Sequence, residues 1–196
     1  MSNKKQDKSH LLMDSALKIF VEKGFQKTKI KDITDNASLA AGTFYLYFKN
    51  KDELIDAIFQ RYISQIFKDF EILIASNNNA KDKIITFIEI NFDYAYKHLT
   101  FFQFYIEYVH TRNIFHPKSH MDIKKQLIHY TEKIIIQGQK ENIFRKDLNP
   151  TIAALSLRGM IVLPIIASMF LGPDKSFTKE ELVYNISENF LKGLEI

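Results

Sequence analysis

The sequence predicts an all-α protein with about nine helices. Glycine and proline are scarce, with six and four residues in a chain of 196, so few positions interrupt a helix. Apolar residues recur every three or four positions, which is the period of one helix face. Start and stop signals divide this pattern into segments. In chain order these are residues 9–23, 28–37, 41–47, 50–75, 80–98, 100–112, 118–141, 150–171 and 178–193.

The first three predicted helices are short and closely spaced. Gly24 ends the first one, because glycine adopts the left-handed conformation that lets Phe25 pack back on the helix. Thr28 is expected to cap the second helix. Ser38 then lies in a tight turn into the third helix, residues 41–47. Two helices joined by such a turn are typical of a helix-turn-helix.

A long fourth helix follows this head. Asn50, followed three residues later by Glu53, matches a capping box, which satisfies free backbone N–H groups at a helix start. The helix then continues to about Ala75. We therefore predict two domains. One is a helix-turn-helix head of residues 1–49, assisted by the first turn of the fourth helix, and the other is a helical body of residues 50–196.

Helix signals continue along the body. Asn142 stands where a left-handed residue would end the seventh helix. Asn149-Pro150 places a cap and a first-turn proline at the start of the eighth helix, which Gly172-Pro173 would end. Thr178 with Glu181 is a second capping box, at the start of the ninth helix.

Positive charge is concentrated at the N-terminal end of the chain. Residues 1–51 hold ten lysines and five acidic residues, a net charge of +5. Residues 52–196 hold 17 basic and 18 acidic residues, a net charge of −1. A basic region beside a neutral body indicates a polyanionic partner. The charge at residues 1–8 is also typical of a solubilising, disordered tail.

The composition disfavours several other classes of protein. The chain has no cysteine, so it has no disulfide framework and no thiolate metal site. The N-terminal residues lack an apolar segment, so we expect no signal peptide. The uncharged run at residues 159–171 is shorter than the roughly 20 residues that span a bilayer. We expect a cytoplasmic protein without a membrane partner or a cofactor.

The third predicted helix has the composition of a recognition helix, which enters the major groove of DNA. Phe44 and Phe48 lie four residues apart and would face inward. Small residues at the helix start allow close approach, Thr43 can bond to a base, and tyrosine hydroxyls can reach phosphates. Each residue alone also fits an ordinary helical bundle, but the combination favours DNA. The residues expected to contact DNA are Thr28, Lys29, Lys31, Ala41, Gly42, Thr43, Tyr45, Tyr47 and Lys51.

Several segments carry a family resemblance. They are Ala-Leu-Lys-Ile-Phe-Val-Glu-Lys-Gly-Phe at 16–25, Gly-Thr-Phe-Tyr-Leu-Tyr-Phe at 42–48 and Lys-Asp-Glu-Leu at 51–54, with Thr28 and Ile33 between them. Over roughly residues 9–60 the chain resembles the N-terminal domain of the TetR family of bacterial transcriptional regulators. The resemblance implies that Gly42, Thr43, Tyr45 and Tyr47 lie on the recognition helix, and that Lys51 binds phosphate.

The sequence departs from the family pattern in two places. Ser38 stands where the turn usually has glycine. Ala40-Ala41 replaces the common small polar residue and basic residue, so base readout from position 41 would be apolar or absent. Sequence specificity is then expected to depend on Thr43, Lys29 and DNA shape.

The last two predicted helices indicate a homodimer. The eighth is apolar nearly all round over residues 159–171, so it must be covered on more than one side. Pairing with a second copy would form a four-helix interface about a two-fold axis, and TetR-like proteins use their last two helices in this way. The core of a monomer is the alternative. The interface residues expected are Leu155, Val162, Ile166, Met169, Leu182, Ile186 and Phe190.

Aromatic residues are abundant, with 17 phenylalanines and nine tyrosines. Apolar walls with a few polar groups are typical of a small-molecule pocket, and Pro164 is expected to kink the eighth helix beside it. The same aromatic residues also fit a filled core, and Arg158 also fits surface pairing. The pocket residues expected are Phe87, Asn91, Tyr94, His98, Phe101, Phe104, Tyr105, Tyr108, Ile134 and Arg158.

The resemblance implies a repressor that a small hydrophobic or aromatic effector releases from a near-palindromic operator. The alternative is a helical small-molecule-binding or adaptor protein whose basic N-terminus binds an acidic surface. The sequence lacks a nucleophile elbow, a phosphate-binding loop and a zinc-protease motif, so we do not expect an enzyme. A metal site at His116, His120 and Asp122 is possible by residue type, but a polar loop is the simpler interpretation.

Overall fold

The computed structural model describes residues 2–111, 118–170 and 177–195, apart from the side chains of residues 2–6, 109–111, 118–122, 124 and 169–170. The elements within these ranges are helices, which confirms the all-α prediction. They are, in chain order, α1 (Ser2–Lys23), α2 (Ile30–Asn36), α3 (Ala41–Tyr45), α4 (Lys51–Ala75), α5 (Ala80–Lys97), α6 (Leu99–Thr111), α7 (Lys118–Lys140), α8 (Pro150–Phe170) and α9 (Lys179–Leu194).

Helix ends follow the capping signals closely. Asn142 has a φ of 57°, which confirms the left-handed residue after α7. The Thr178 hydroxyl accepts a hydrogen bond from the Glu181 backbone N–H, and the Glu181 carboxylate accepts one from the Thr178 N–H at 2.9 Å. The largest difference is at α1, which begins at Ser2 rather than near residue 9. The expected stop at Gly172-Pro173 lies outside the described residues.

Backbone contacts divide the chain into two units. Unit 1 comprises Met1–Ser64 and His98–His116, and unit 2 comprises Gln65–Lys97 and Pro117–Ile196. This division differs from the predicted boundary after residue 49, because α6 packs against α1 and the first half of α4 belongs with them. The predicted assignment of functions to a head and a body stays a prediction.

An aromatic cluster forms the core of unit 1. Phe20 of α1 stacks on Phe104 of α6, with ring centroids 5.1 Å apart. Phe59 of α4 lies 6.2 Å from Phe104 and 6.1 Å from Tyr108. Phe25 contacts Tyr108 edge-on at 5.5 Å. Such pairs contribute about 0.5–1.5 kcal/mol each beyond simple burial, so α6 is fixed to the helices of the head.

The helix-turn-helix is attached to this core through α2. Ile33 is fully buried between α1 and α2. The Ser15 hydroxyl donates a 2.6 Å hydrogen bond to the Ile33 carbonyl, so the two helices are joined by a polar contact as well as by packing. α2 in turn packs against α3. The orientation of α3 therefore depends on the position of α1.

α5 is the central helix of unit 2, where it packs against α7, α8 and α9. Lys83 is only 2% exposed, and its ammonium donates to the Ile74 carbonyl at 2.8 Å and to the Gln137 side chain at 3.0 Å. Glu141 accepts a 2.9 Å hydrogen bond from the Ala80 N–H. Hydrogen bonds from Gln137 and then Ala80 lower the pKa of Glu141. These contacts join the turn before α5 to the end of α7.

α8 carries apolar residues on opposite faces. Its inner face is buried in unit 2 and consists of Ala153, Ala154, Leu157, Ile161 and Ile165. Its outer face includes Leu155 and Leu163, which are 51% and 67% exposed. Between them, a side chain at Gly159 would meet nothing within 4 Å. The outer face is therefore an open apolar surface on the subunit.

Length and composition alone would allow the stretch Pro150–Ser168 of α8 to cross a membrane, and 28% of it is buried in the subunit. This stretch includes the charged Arg158, so it begins earlier in the chain than the uncharged run of residues 159–171. An apolar helix with one buried face and one open face also fits a helix that packs on a second protein.

Substitution of Gly138 by alanine should destabilise unit 2. A Cβ at this position would clash with Cδ2 of the Phe144 ring, which is fully buried. Overpacking of this kind lowers the free energy of unfolding by about 1–3 kcal/mol, which urea denaturation would measure. Gly193→Ala is the control, because nothing lies within 4 Å of its added Cβ. Equal unfolding midpoints for the two variants would contradict the prediction.

Candidate nucleic-acid interface

The turn between α2 and α3 consists of residues 37–40. Ser38 has a φ of 54°, and its N–H bonds to the Asp35 carbonyl at 3.0 Å. The next N–H, of Leu39, bonds to the Thr34 carbonyl at 2.9 Å. The left-handed conformation costs a residue with a side chain about 1–2 kcal/mol. Ser38 therefore holds a strained backbone at the point that directs α3 outward.

Two phenylalanines attach α3 to the head. Phe44 is fully buried and Phe48 nearly so, with ring centroids 5.7 Å apart. Their inward positions are as the four-residue spacing predicts. Because both rings are held in the core, α3 cannot rotate about its axis without exposing them. The opposite side of α3 is thereby fixed towards solvent.

The exposed side of α3 contains the residues predicted to enter a groove. Ala41 and Gly42 are exposed and Thr43 and Tyr47 are half-buried, while Tyr45 is 62% exposed. A side chain at Gly42 would meet nothing within 4 Å, so the surface around it is open. Contact of these residues with DNA stays a prediction.

Leu46 is a surface residue that the sequence analysis missed. It directly follows α3 and is 72% exposed. It was not among the residues expected to contact DNA. Its spacing from Gly42 and Thr43, four and three positions, is the signal that places it on their face. An exposed leucine at this place can make apolar contacts with thymine methyl groups.

Exposed lysines flank the helix-turn-helix. Lys29 and Lys31, both predicted to approach the DNA backbone, are exposed. Lys27 and Lys49 are exposed as well, and the sequence analysis did not select them. Positive charge around a groove-binding helix is what phosphate contacts require. The described geometry therefore offers four exposed lysine side chains for such contacts.

The start of α2 is capped by a carboxylate. Asp32 accepts a 2.8 Å hydrogen bond from the Lys29 N–H and a 3.2 Å bond from the Lys23 ammonium. The backbone hydrogen bond from Lys29, followed by the bond from Lys23, lowers the pKa of Asp32. Lys29 therefore occupies the capping position, while its side chain is free to point outward.

Thr28 requires a correction. It was expected to cap α2 and to contact DNA, but it is only 2% exposed. Its hydroxyl donates a 2.8 Å hydrogen bond to the Gly24 carbonyl, which closes the end of α1. Because α2 begins one residue later than expected, the cap position falls on Lys29. Thr28 has almost no surface left for a nucleic acid.

Lys51 also differs from its expected role as an outward phosphate ligand. Its ammonium donates to the Phe25 carbonyl at 2.8 Å and to the Thr28 carbonyl at 2.7 Å. It also lies 4.3 Å from the centroid of the Phe25 ring. The charge is thus directed into the loop between α1 and α2.

The start of α4 has the predicted cap in a shifted form. The Asn50 side chain accepts a 2.9 Å hydrogen bond from the Glu53 N–H, as a capping box requires. The Glu53 carboxylate bonds to the N–H of Lys49 at 2.7 Å rather than to that of Asn50. The shifted bond fixes the loop that carries the Lys49 side chain.

The residues predicted to form one effector pocket fall into two sets. The α6 set lies in unit 1, where Phe101, Phe104 and Tyr108 are buried among the rings of the aromatic cluster. His98 and Tyr105 belong to the same unit, with His98 against Tyr62 at 5.1 Å and Tyr105 against Phe59 at 5.9 Å. The second set lies in unit 2 and consists of Phe87, Asn91, Tyr94, Ile134 and Arg158.

The second set is packed around α5. Phe87 stacks on Phe70 with centroids 4.4 Å apart. Asn91 is buried, and its amide donates a 2.7 Å hydrogen bond to the Phe87 carbonyl. Tyr94 and Ile134 are also buried, and Arg158 is half-buried. These rings fill space in the described structure, and a pocket that joins both sets stays a prediction.

The predicted dimer residues divide in a similar way. On α8, Leu155 is exposed and Val162 and Ile166 are half-buried, which fits an outer face. On α9, by contrast, Leu182, Ile186 and Phe190 are buried within unit 2. They form the inner face of α9, which packs on α5. The α9 part of the predicted interface is therefore corrected, while the side chain of Met169 lies outside the described ones.

Unit 2 has a groove of about 460 Å³ along these two helices. Phe190 lies at its base with only a small part of its surface exposed. The groove is lined by Asp147, Leu148, Asn149, Ile152, Ala153, Ser156, Met160, Asn189, Phe190, Gly193 and Leu194. It continues the open apolar face of α8.

Metal binding has no support within the described part of the chain, where no group of three metal-ligating side chains occurs. His116 lies outside the described residues, and the side chains of His120 and Asp122 lie outside the described ones.

The helix-turn-helix matches a known family. The profile described as "Bacterial regulatory proteins, tetR family" matches residues 12–58, which include α2, the turn and α3. The helix-turn-helix of this chain belongs to the TetR family. The curated relatives that it matches are named as regulators and repressors, and not as enzymes.

One curated relative is named a fatty acid metabolism regulator, and another is named a transcriptional repressor. The fatty acid metabolism regulator protein of Bacillus subtilis (strain 168) is 31% identical over 88 residues, 45% of each chain. The repressor KstR2 of Rhodococcus jostii (strain RHA1) is 21% identical over 150 residues, 75% of this chain and 72% of the relative. The first alignment thus spans less than half of that relative's length.

Solved structures of TetR-family proteins share the fold over nearly the whole chain. A putative fatty acid metabolism regulator of Clostridium perfringens has a TM-score of 0.78 at 19% identity and covers 95% of this chain and 99% of its own. FadR of Bacillus subtilis, solved in complex with stearoyl-CoA, has a TM-score of 0.78 at 20% identity and covers 94% and 98%. At these identities the likeness establishes the fold.

Relief of the strained turn should stabilise this TetR-type head. Ser38→Gly removes the left-handed cost of about 1–2 kcal/mol, of which the greater entropy of unfolded glycine cancels about 0.5–1 kcal/mol. We expect the free energy of unfolding to rise by up to about 1.5 kcal/mol, measured by urea denaturation. Ser38→Ala keeps the strain and is the control. An equal gain from alanine would show that strain is not the cause.

Removal of an exposed lysine beside α3 should weaken binding to every DNA sequence. Lys29→Ala is expected to lower the slope of log affinity against log salt by about 0.9, the value of one phosphate contact. The slope is measured by titrating a labelled duplex at several salt concentrations. Lys146→Ala, an exposed lysine in unit 2, should leave the slope unchanged. If both variants behave like the original protein, Lys29 does not contact phosphate.

Proposed function

We propose that this protein is a repressor that binds a near-palindromic operator as a homodimer and is released by a hydrophobic effector of lipid type. The observation that carries the proposal is the fixed, exposed face of α3. Phe44 and Phe48 are buried beneath it, and exposed lysines flank it. A helix that is held in place, with small and hydroxyl-bearing side chains on its exposed face and lysines beside it, is suited to the major groove.

The proposed docking gives each exposed residue a separate task. Ala41 and Gly42 allow the backbone of α3 to approach the floor of the groove. Thr43 reads a base edge, with its methyl group able to meet a thymine methyl. Tyr45 and Tyr47 donate hydroxyl hydrogen bonds to phosphates on either side. These contacts position the head, while base contacts supply the sequence preference.

The open face of α8 supports pairing with a second copy. Leu155 and Leu163 are more than half exposed, and burial of such side chains stabilises an assembly by about 25 cal/mol per Å² of apolar surface. The small residues Ser156 and Gly159 lie between them and permit close approach of another helix. A two-fold axis through this face would present two copies of α3 to successive half-sites of DNA.

Relatives support an effector with a hydrocarbon body. One is named a fatty acid metabolism regulator, and a structure of similar fold was solved with stearoyl-CoA. In this chain, the buried Asn91 and the half-buried Arg158 of unit 2 are the polar groups proposed to orient such a ligand among aromatic side chains. The effector must favour the released state by several kcal/mol to shift the equilibrium. A cytoplasmic location is part of the proposal.

Selection of bound duplexes from a random DNA pool should enrich a near-palindrome. Fatty acyl-CoA thioesters of increasing chain length are then added to the complex with the selected duplex. We expect release to strengthen with chain length, because each buried CH₂ contributes about 0.8 kcal/mol, and free coenzyme A is the control. A selected operator that no thioester releases would contradict the effector class, while no enrichment would contradict specific DNA binding.

A charge on the outer face of α8 should dissociate the dimer. Leu155→Glu places a carboxylate in the proposed interface, where an unpaired buried charge costs several kcal/mol. Sedimentation is expected to show a monomer and loss of tight operator binding. Ile72→Glu is the matched control, since Ile72 on α4 is similarly exposed but lies outside α8. A dimer that survives Leu155→Glu would exclude this face as the interface.

A further inference from the structure

Lys51 has an unusual environment for a lysine beside a DNA-binding surface. It is the first residue of α4, and its ammonium bonds to the carbonyls of Phe25 and Thr28 at 2.8 and 2.7 Å. Those carbonyls lie 26 and 23 positions earlier in the chain. The ammonium also rests 4.3 Å from the centroid of the Phe25 ring, where a cation is attracted by the aromatic face.

These contacts use most of the bonding capacity of the side chain. A lysine ammonium has three N–H donors, and two of them point to backbone oxygens within the head. Hydrogen bonds from a charged donor are roughly twice as strong as neutral ones. Movement of Lys51 to a phosphate would leave two loop carbonyls to find other partners. The described geometry therefore favours a role inside the protein.

The loop that Lys51 holds determines where α2 begins. Gly24 turns the chain with a φ of 79°, and the Thr28 hydroxyl bonds back to the Gly24 carbonyl at 2.8 Å. Lys29 follows immediately as the cap of α2. A contact on the Phe25 and Thr28 carbonyls thus fixes the loop at both ends. It links the first turn of α4 to the residue just before the cap of α2.

Lys49 is placed differently although it is only two residues away. Its side chain is exposed, and its backbone N–H is held by the Glu53 carboxylate at 2.7 Å. It directly follows Phe48, whose burial fixes the end of the α3 region. An exposed ammonium on a fixed backbone beside the recognition helix is well placed to meet a phosphate.

We infer that Lys51 is a positioning residue that fixes the α1–α2 loop, and that Lys49 supplies the phosphate contact at this edge of the helix-turn-helix. The inference rests on the proposed DNA binding. It assigns the two lysines opposite tasks: one orients α2 and α3 from within the protein, and the other neutralises DNA charge. The expected phosphate role of Lys51 is replaced.

The experiment compares Lys51→Met with Lys49→Met in the full chain. Each variant removes one positive charge and keeps an unbranched side chain. Hydrogen exchange of the Lys29 amide, measured without DNA, reports the loop. The salt dependence of affinity for a random-sequence duplex reports phosphate contacts, because each contact contributes about 0.9 to the slope.

For Lys51→Met we expect at least tenfold faster exchange of the Lys29 amide, a DNA affinity reduced by the same factor at every salt concentration, and an unchanged slope. For Lys49→Met we expect unchanged exchange and a slope smaller by about 0.9. A slope reduced by about 0.9 in Lys51→Met, or an unchanged exchange rate there, would overturn the inference. An unchanged slope in Lys49→Met would overturn the part that concerns Lys49.

Lys51→Arg covers the case in which Lys51→Met does not fold. The guanidinium keeps the charge but differs in shape and stem length from the ammonium that fits between two carbonyls and a ring. We expect faster exchange at an unchanged slope, and an exchange rate equal to that of the original protein would overturn the inference. If the original protein binds no duplex, the proposed function fails, while the exchange measurement still decides the role of Lys51.

Discussion

The aromatic contact between α1 and α6 is the constraint on which the rest of unit 1 depends. Phe20 stacks on Phe104, and Phe59 joins the same cluster from α4. α2 is fixed to α1 by the buried side chain of Ile33 on α2 and by the hydrogen bond from Ser15 of α1 to the Ile33 carbonyl. α3 packs against α2 in turn. The surface offered to DNA is therefore positioned by rings that lie far along the chain from it.

This arrangement gives α6 a part in the DNA-binding unit. α6 begins at Leu99, far along the chain from the end of α3 at Tyr45, and yet it shares a core with the helices that hold α3. Small shifts of Phe104 or Tyr108 would be transmitted to α1, because packed aromatic rings deform little. If an effector changes the packing of α6, the change would reach α3 through the contacts of α6 with α1.

Helix ends were predictable from sequence because their signals are local. Asn142 and the Thr178–Glu181 box act on backbone groups within four residues, so no knowledge of the fold is needed. The inward positions of Phe44 and Phe48 also follow from spacing alone. The exposed face of α3 could therefore be predicted closely, apart from Leu46, which was left out of the predicted set.

Partners across the fold were harder to predict. The stripe of Leu182, Ile186 and Phe190 is apolar in sequence, but periodicity does not reveal whether the subunit or a second copy covers it. The direction of the Lys51 side chain depends on carbonyls more than 20 residues away, and the burial of Thr28 depends on the bend at Gly24. For the stripe and for Lys51, the residue type was recognised and its long-range neighbour was not. The hydroxyl of Thr28 instead bonds to Gly24, four residues earlier in the chain.

The open leucines of α8 have a further consequence for how such a regulator responds to its own abundance. If two subunits must meet before the operator is held, occupancy at low copy number rises with the square of the subunit concentration. A cell with half the subunits would then hold about a quarter of the dimers. The apolar area left uncovered on one helix would thus set the expression level at which repression begins.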